Sequence, residues 1–155
     1  MSLGADIRPW HTRPMVQHLA LTAILVDDYD TALAFYVGIL GFEKREDTVL
    51  SPTKRWVVVV PPGGESGLLL ARAADDRQRN SIGDQSGGRV FLFLETDDFD
   101  RDFANYRQRG VNFVEAPRQE AYGKVAVFED IFGNRWDLIQ SRTLSRPLSP
   151  PAAPG

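Results

Sequence analysis

Residues 21–30 read LTAILVDDYD and residues 91–100 read FLFLETDDFD, so an apolar, β-favouring run closed by an acidic turn occurs twice, 70 positions apart. At the same spacing Leu33, Ala34 and Tyr36 match Phe103, Ala104 and Tyr106. Each apolar run predicts a buried strand, the first spanning Gln17 to Val26. Each acidic turn predicts a helix start, because an aspartate side chain can accept the first free amides. In the first copy Asp28 or Asp30 is the candidate cap. Ala32, Leu33, Phe35, Tyr36 and Ile39 recur at helical spacing until Gly41 ends the helix.

The repeat extends further. Trp56 to Val60 is a short β-branched run closed by Pro61-Pro62-Gly63-Gly64, and it corresponds to Lys124 to Phe128. Leu68 to Ala71 corresponds to Arg135 to Leu138, with Gly67 and Gly133 in the preceding turns. The chain therefore reads as one α+β domain over 15–141, made of two βαβββ-like modules at about 16–75 and 88–141. A polar, glycine-bearing linker, DDRQRNSIGDQSGG, joins them. Residues 1–14 read as a flexible leader. Residues 142–155, rich in proline, read as a flexible tail.

Composition narrows the chemistry. The 155 residues carry 18 Lys and Arg against 21 Asp and Glu, a net charge of −3, and no cysteine. Without thiols there is no disulfide framework, zinc-thiolate site or cysteine nucleophile. Without a basic cluster, no nucleic-acid or membrane partner is expected. No stretch approaches the roughly 20 apolar residues of a spanning helix, and residues 1–15 lack a secretion-signal core, so a cytoplasmic location is the expectation. The glycines at 63, 64 and 67 precede a strand rather than a helix and read as a turn, not a phosphate cradle.

The segments VDDYDTALAFYVGILGF, TDDFDRDFANYRQRGVNF and VAVFEDIFGNRWDLIQ resemble the vicinal-oxygen-chelate superfamily, the glyoxalase, bleomycin-resistance and extradiol-dioxygenase group. The likeness covers essentially all of 16–141. It implies a cupped mixed sheet of paired modules, with His or Glu ligands at four inward strand positions in the metal-dependent members. Carried onto this chain, those positions fall on Leu21, Leu70, Phe91 and Asp137, so a single donor remains. One carboxylate cannot hold a catalytic divalent ion. Of the two histidines, His11 lies in the leader. His18, three residues before Leu21, is expected on the opposite strand face.

An apolar lining then takes the place of the metal. Alternation from Leu21 and Phe91 puts Leu19, Ala23, Leu25, Phe93 and Glu95 on the inward face. The candidate ligand-binding residues are Leu21, Trp56, Leu70, Phe91, Phe93 and Asp137, and Asp137 and Glu95 are the candidate catalytic groups. The resemblance adds Tyr122, at the hinge of a loop, EAPRQEAYGKVAVF, that closes over the cup in relatives. Asp137 sits between Trp136 and Leu138, where a carboxylate is costly unless it is paired or anchors a ligand. Arg72 and Arg135 are the candidate partners.

The functional expectation is metal-independent binding of a small apolar or aromatic molecule, with no cofactor, by a homodimer whose strand edges and cup mouth are covered on association. Two alternatives stand beside it. One is a divalent-metal lyase, lactoylglutathione-lyase-like, or a dioxygenase, with an irregular site of Asp137, Glu95 and His18. The other is a structural or regulatory module with a closed cup.

Overall fold

The structure is a computed structural model that describes residues 14–142. The leader up to residue 13, His11 within it, and the tail from 143 onward lie outside the described residues. The first module runs β1 (Leu21–Val26), α1 (Tyr29–Leu33), a π-helical continuation (Ala34–Ile39), β2 (Glu43–Ser51), β3 (Lys54–Val60) and β4 (Gly67–Arg72). A short α2 (Asp76–Ser81) lies in the linker. The second module runs β5 (Val90–Glu95), α3 (Phe99–Gln108), β6 (Asn112–Phe113), β7 (Arg118–Glu120), β8 (Gly123–Glu129) and β9 (Arg135–Ser141).

Both acidic turns cap as their sequence predicts. Asp28 accepts from the Thr31 amide at 2.8 Å and Asp98 from the Arg101 amide at 3.1 Å. The helix ends at Gly41, whose φ of +79° suits a residue without a Cβ. Its second half bonds i to i−5, with the Leu40 amide on the Phe35 carbonyl at 2.9 Å, and the consecutive side chains Phe35 and Tyr36 are both buried.

Two mixed sheets result, ordered β1-β4-β3-β2 and β5-β9-β8-β6, with β7 also paired to β8. In each the first strand runs parallel to the last and the others are antiparallel. One face of each sheet carries the helices. The core between them takes Ile24, Val57, Val59 and Leu70 from the first sheet and Ala126, Phe128, Trp136 and Leu138 from the second. The modules meet through their helical layers. Trp136 lies 6.0 Å from the Tyr36 ring and 6.1 Å from Phe42, and Arg109 donates to the Ile39 carbonyl at 2.8 Å.

The linker is more structured than its polar sequence suggests. Gln85 lies along the outer edge of β1, accepting from the Leu25 amide at 2.7 Å and donating to the Ala23 carbonyl at 3.2 Å. Gly83 passes under the β8–β9 turn, where a Cβ would fall 1.9 Å from the Phe132 carbonyl oxygen. The segment from 115 to 128 is likewise not a free loop, because β7 is bonded to β8 as a hairpin with Tyr122 in its turn.

Candidate functional site

The face of each sheet turned away from the shared core is the candidate cup surface. In the second sheet the ladders place Phe93, Asp137 and Val127 side by side, and in the next row Glu95, Ile139, Val125 and Arg118. In the first sheet Ala23, Leu69 and Val58 form one row, with Leu21, Leu25, Ala71 and Trp56 on the same face. Val58, Val125, Val127 and Ile139 are buried, yet none belongs to the helix-side core, so each sheet has a second apolar floor. Trp56, Leu69 and Ala71 line an open concavity of about 640 Å³, bounded at one end by Tyr29, Arg55 and Arg72.

The structure corrects two of the expected cup residues. Leu70 is 1% exposed and packs in the helix-side core; its neighbour Leu69 faces the cup. The β1–β4 register pairs Ala23 with Leu69, as the β5–β9 register pairs Phe93 with Asp137, so Leu69 is the repeat mate of Asp137. Phe91 stands at a register shift between Val90 and Leu92 and packs against the core. A bulge inserts one residue there, so the repeat spacing that carried the position onto Phe91 does not hold on this strand. Trp136 likewise points into the core, whereas Trp56 is half-buried on the cup face.

The other residues fall as follows. Leu21, on an edge strand, is 38% exposed, and Phe93 is 60% exposed. Leu19 and His18 precede β1 and are exposed. Glu95 is exposed on the cup face and accepts from the Ser141 hydroxyl. Tyr122 is half-buried at the β7–β8 turn.

Asp137 is 7% exposed, and its Oδ1 has no hydrogen-bond partner among the described residues. Burial pushes its pKa above the ordinary carboxylate value, with Arg118 pulling it down and Glu115 pushing it up. It forms no ion pair with Arg72 or Arg135; Arg135 reaches toward Glu129 instead, at 3.7 Å. A carboxylate set between Phe93 and Val127 does not fit a divalent cation, which needs several converging oxygen or nitrogen donors. Among the described residues no group of three or more His, Asp or Glu side chains converges. No helix among them is long and apolar enough to cross a membrane.

The sequence profile of the Glyoxalase/Bleomycin resistance protein/Dioxygenase superfamily matches residues 16–138. The chain belongs to that superfamily. This glyoxalase-superfamily chain is 52% identical over 128 residues to an uncharacterized protein of Shewanella frigidimarina, a match covering 81% of this chain and 95% of that one. Among solved structures it is similar to a superfamily member from Sphaerobacter thermophilus, with 32% identity, a TM-score of 0.67 and coverage of 83% of this chain and 100% of the other. It is also similar to TnmS3, an antibiotic binding protein from Streptomyces, with 30% identity, a TM-score of 0.68 and coverage of 83% and 99%.

Proposed function

We propose that this superfamily member binds a small apolar or aromatic molecule in its cup without a metal ion, as an antibiotic-binding or similar sequestering protein. The observation that carries this reading is Asp137: a carboxylate buried on the cup side of the second sheet beside Phe93, Val127 and Ile139, with an oxygen to which nothing among the described residues bonds. A carboxylate kept there costs free energy unless something outside the chain satisfies it. Pockets of this kind, mainly apolar with a few polar anchors, suit small molecules. The likeness to TnmS3, described as an antibiotic binding protein, supports the same class.

A homodimer belongs to this reading. β1 and β5 are each paired on one side only, and each presents an exposed apolar side chain, Leu21 or Phe93. Association of two copies covers these exposed apolar side chains and walls the cup, since exposed apolar groups favour association.

The test is a titration of the full chain with planar quinones, hydrophobic amides and aromatic antibiotics, read by tryptophan emission and thermal midpoint. Binding shifts both. A panel that moves neither quantity overturns the reading in favour of a closed structural module.

A further inference from the structure

The ladder between β3 and β4 ends at the pair Val57–Leu70, yet β3 reaches back to Lys54 and β4 runs on to Arg72. Both ends stay paired on their outer sides, Arg55 and Trp56 with β2, Ala71 and Arg72 with β1. The two strands therefore part, and the concavity of about 640 Å³ is lined by their parted ends. Tyr29 also lines it; this residue is 6% exposed, and its hydroxyl accepts from the Arg55 amide at 3.2 Å.

The side-chain groups left over around this cleft are donors. A phenol that accepts one bond still has a proton to give, and the Tyr29 hydroxyl has no acceptor among the described residues. Gln78 spends its Oε1 on the Ala74 amide at 2.7 Å, which leaves its NH2 group as the free end. Arg72 and Lys54 line the cleft as well, and neither has an acid within ion-pair distance among the described residues. Arg55 differs, because Asp47 at 2.6 Å and Asp30 at 2.9 Å compensate its charge and hold it over the Tyr29 ring. Asp75 and Asp28 are occupied as helix caps, on the Gln78 and Thr31 amides. The pKa of Asp28 is lowered first by the Thr31 amide and hydroxyl and to a smaller extent by Arg72, but the two charges do not pair. Among the described residues no carboxylate side chain lines the concavity.

Two cations and two neutral donors around one opening, with no acid in its wall, suit an oxyanion, which only accepts. Trp56, Leu69 and Ala71 supply apolar surface beside them. We propose that the cup ligand carries a carboxylate, held at the Arg72, Lys54 and Tyr29 end of this cleft, with its aromatic body against Trp56. This rests on the reading that the cup takes a small molecule, and it narrows that reading to aromatic acids.

The experiment compares an anthraquinone carboxylic acid with its primary carboxamide by calorimetry on the full chain at neutral pH. The acid, ionised there, binds tighter by about tenfold, as expected for charge-assisted hydrogen bonds. The net charge of −3 opposes any anion, so diffuse attraction does not produce this order. Arg72→Gln narrows the difference, and the double variant with Lys54→Gln removes it while the carboxamide binds as before. Arg89→Gln, the same loss of charge at a residue outside the cleft, leaves the difference intact. Trp56→Ala weakens both probes alike. Equal affinity of the two probes for the unaltered protein, or a preference that survives the double variant, overturns the carboxylate assignment and leaves the apolar cup standing. Unchanged affinity of both probes for Trp56→Ala puts their site elsewhere and overturns it too. If neither probe binds, the carboxylate assignment falls together with the aromatic-ligand reading.

Discussion

The Tyr36 hydroxyl donates a 2.5 Å hydrogen bond to Asp130 Oδ2, tying the helix of the first module to the β8–β9 turn of the second. Asp130 also accepts from Asn134 Nδ2 at 2.8 Å and, through Oδ1, from the Phe132 and Asn134 amides, each at 2.9 Å. One buried carboxylate thus shapes the turn and joins the two halves of the chain.

Tyr36→Phe keeps the ring contacts with Phe42 and Trp136 and deletes only this bond, so it should lower unfolding stability by about 1–2 kcal/mol in urea titrations. Burial and the neighbouring Asp130 raise the Tyr36 pKa well above the usual value of 10.0. Its contribution to stability is therefore complete below pH 10 and declines above it, because the unfolded chain ionises first. The variant should show a shallower loss of stability in that alkaline range, with the residual slope coming from Tyr106, whose pKa burial also raises.

Asp137→Asn should leave stability at pH 7 equal or higher, within about 1 kcal/mol, because an unpaired buried charge is removed and no arginine is stranded. The raised pKa means that the folded state holds its proton where the unfolded state has lost it. Stability contributed by Asp137 is then present at low pH and falls as pH rises from 3.8 through the higher folded value. Thermal midpoints between pH 3 and 7 should decline less in the variant. A fall of about 3 kcal/mol or more at pH 7 would reveal a hidden salt bridge instead.

Gln85→Ala should cost about 1–2 kcal/mol by denaturant titration, since two hydrogen bonds on the β1 edge are lost. Hydrogen exchange at the Leu25 amide, now unprotected, should accelerate in the same variant.

Gly83→Ala should destabilise by about 2 kcal/mol or more. Its φ is +77°, and the added Cβ meets the Phe132 backbone rather than a side chain able to move aside. Gly87, also at positive φ but with no atom near its Cβ, should tolerate alanine at about 1 kcal/mol. Comparing the two unfolding midpoints isolates the close approach.

Light scattering at micromolar concentration should give twice the 17.3 kDa of one chain. Leu21→Glu, which sets a charge on the β1 edge, should shift the population toward monomer.

The sequence determined the repeat, and with it the α+β class, by matching stretches 70 positions apart, and it determined the two aspartate caps and the helix stop at Gly41 because each depends on residues within a few positions of one another. It did not reveal β2, whose stretch from Glu43 to Ser51 is polar and pairs on one side only, nor α2, which hides in a linker composition. Face assignments on β4 and β5 escaped it for a physical reason. Leu68, Leu69 and Leu70 are all apolar, so no alternation distinguishes core from cup, and the bulge near Phe91 appears only when β5 is laid beside β9. That Asp137 forms no ion pair with Arg135 is equally a tertiary fact, since Arg135 reaches Glu129 across the β8–β9 ladder and Lys124 reaches Asp100 on α3. The sequence could place a carboxylate on this strand. Only packing decided that it lies buried on the cup side with one oxygen unbonded among the described residues.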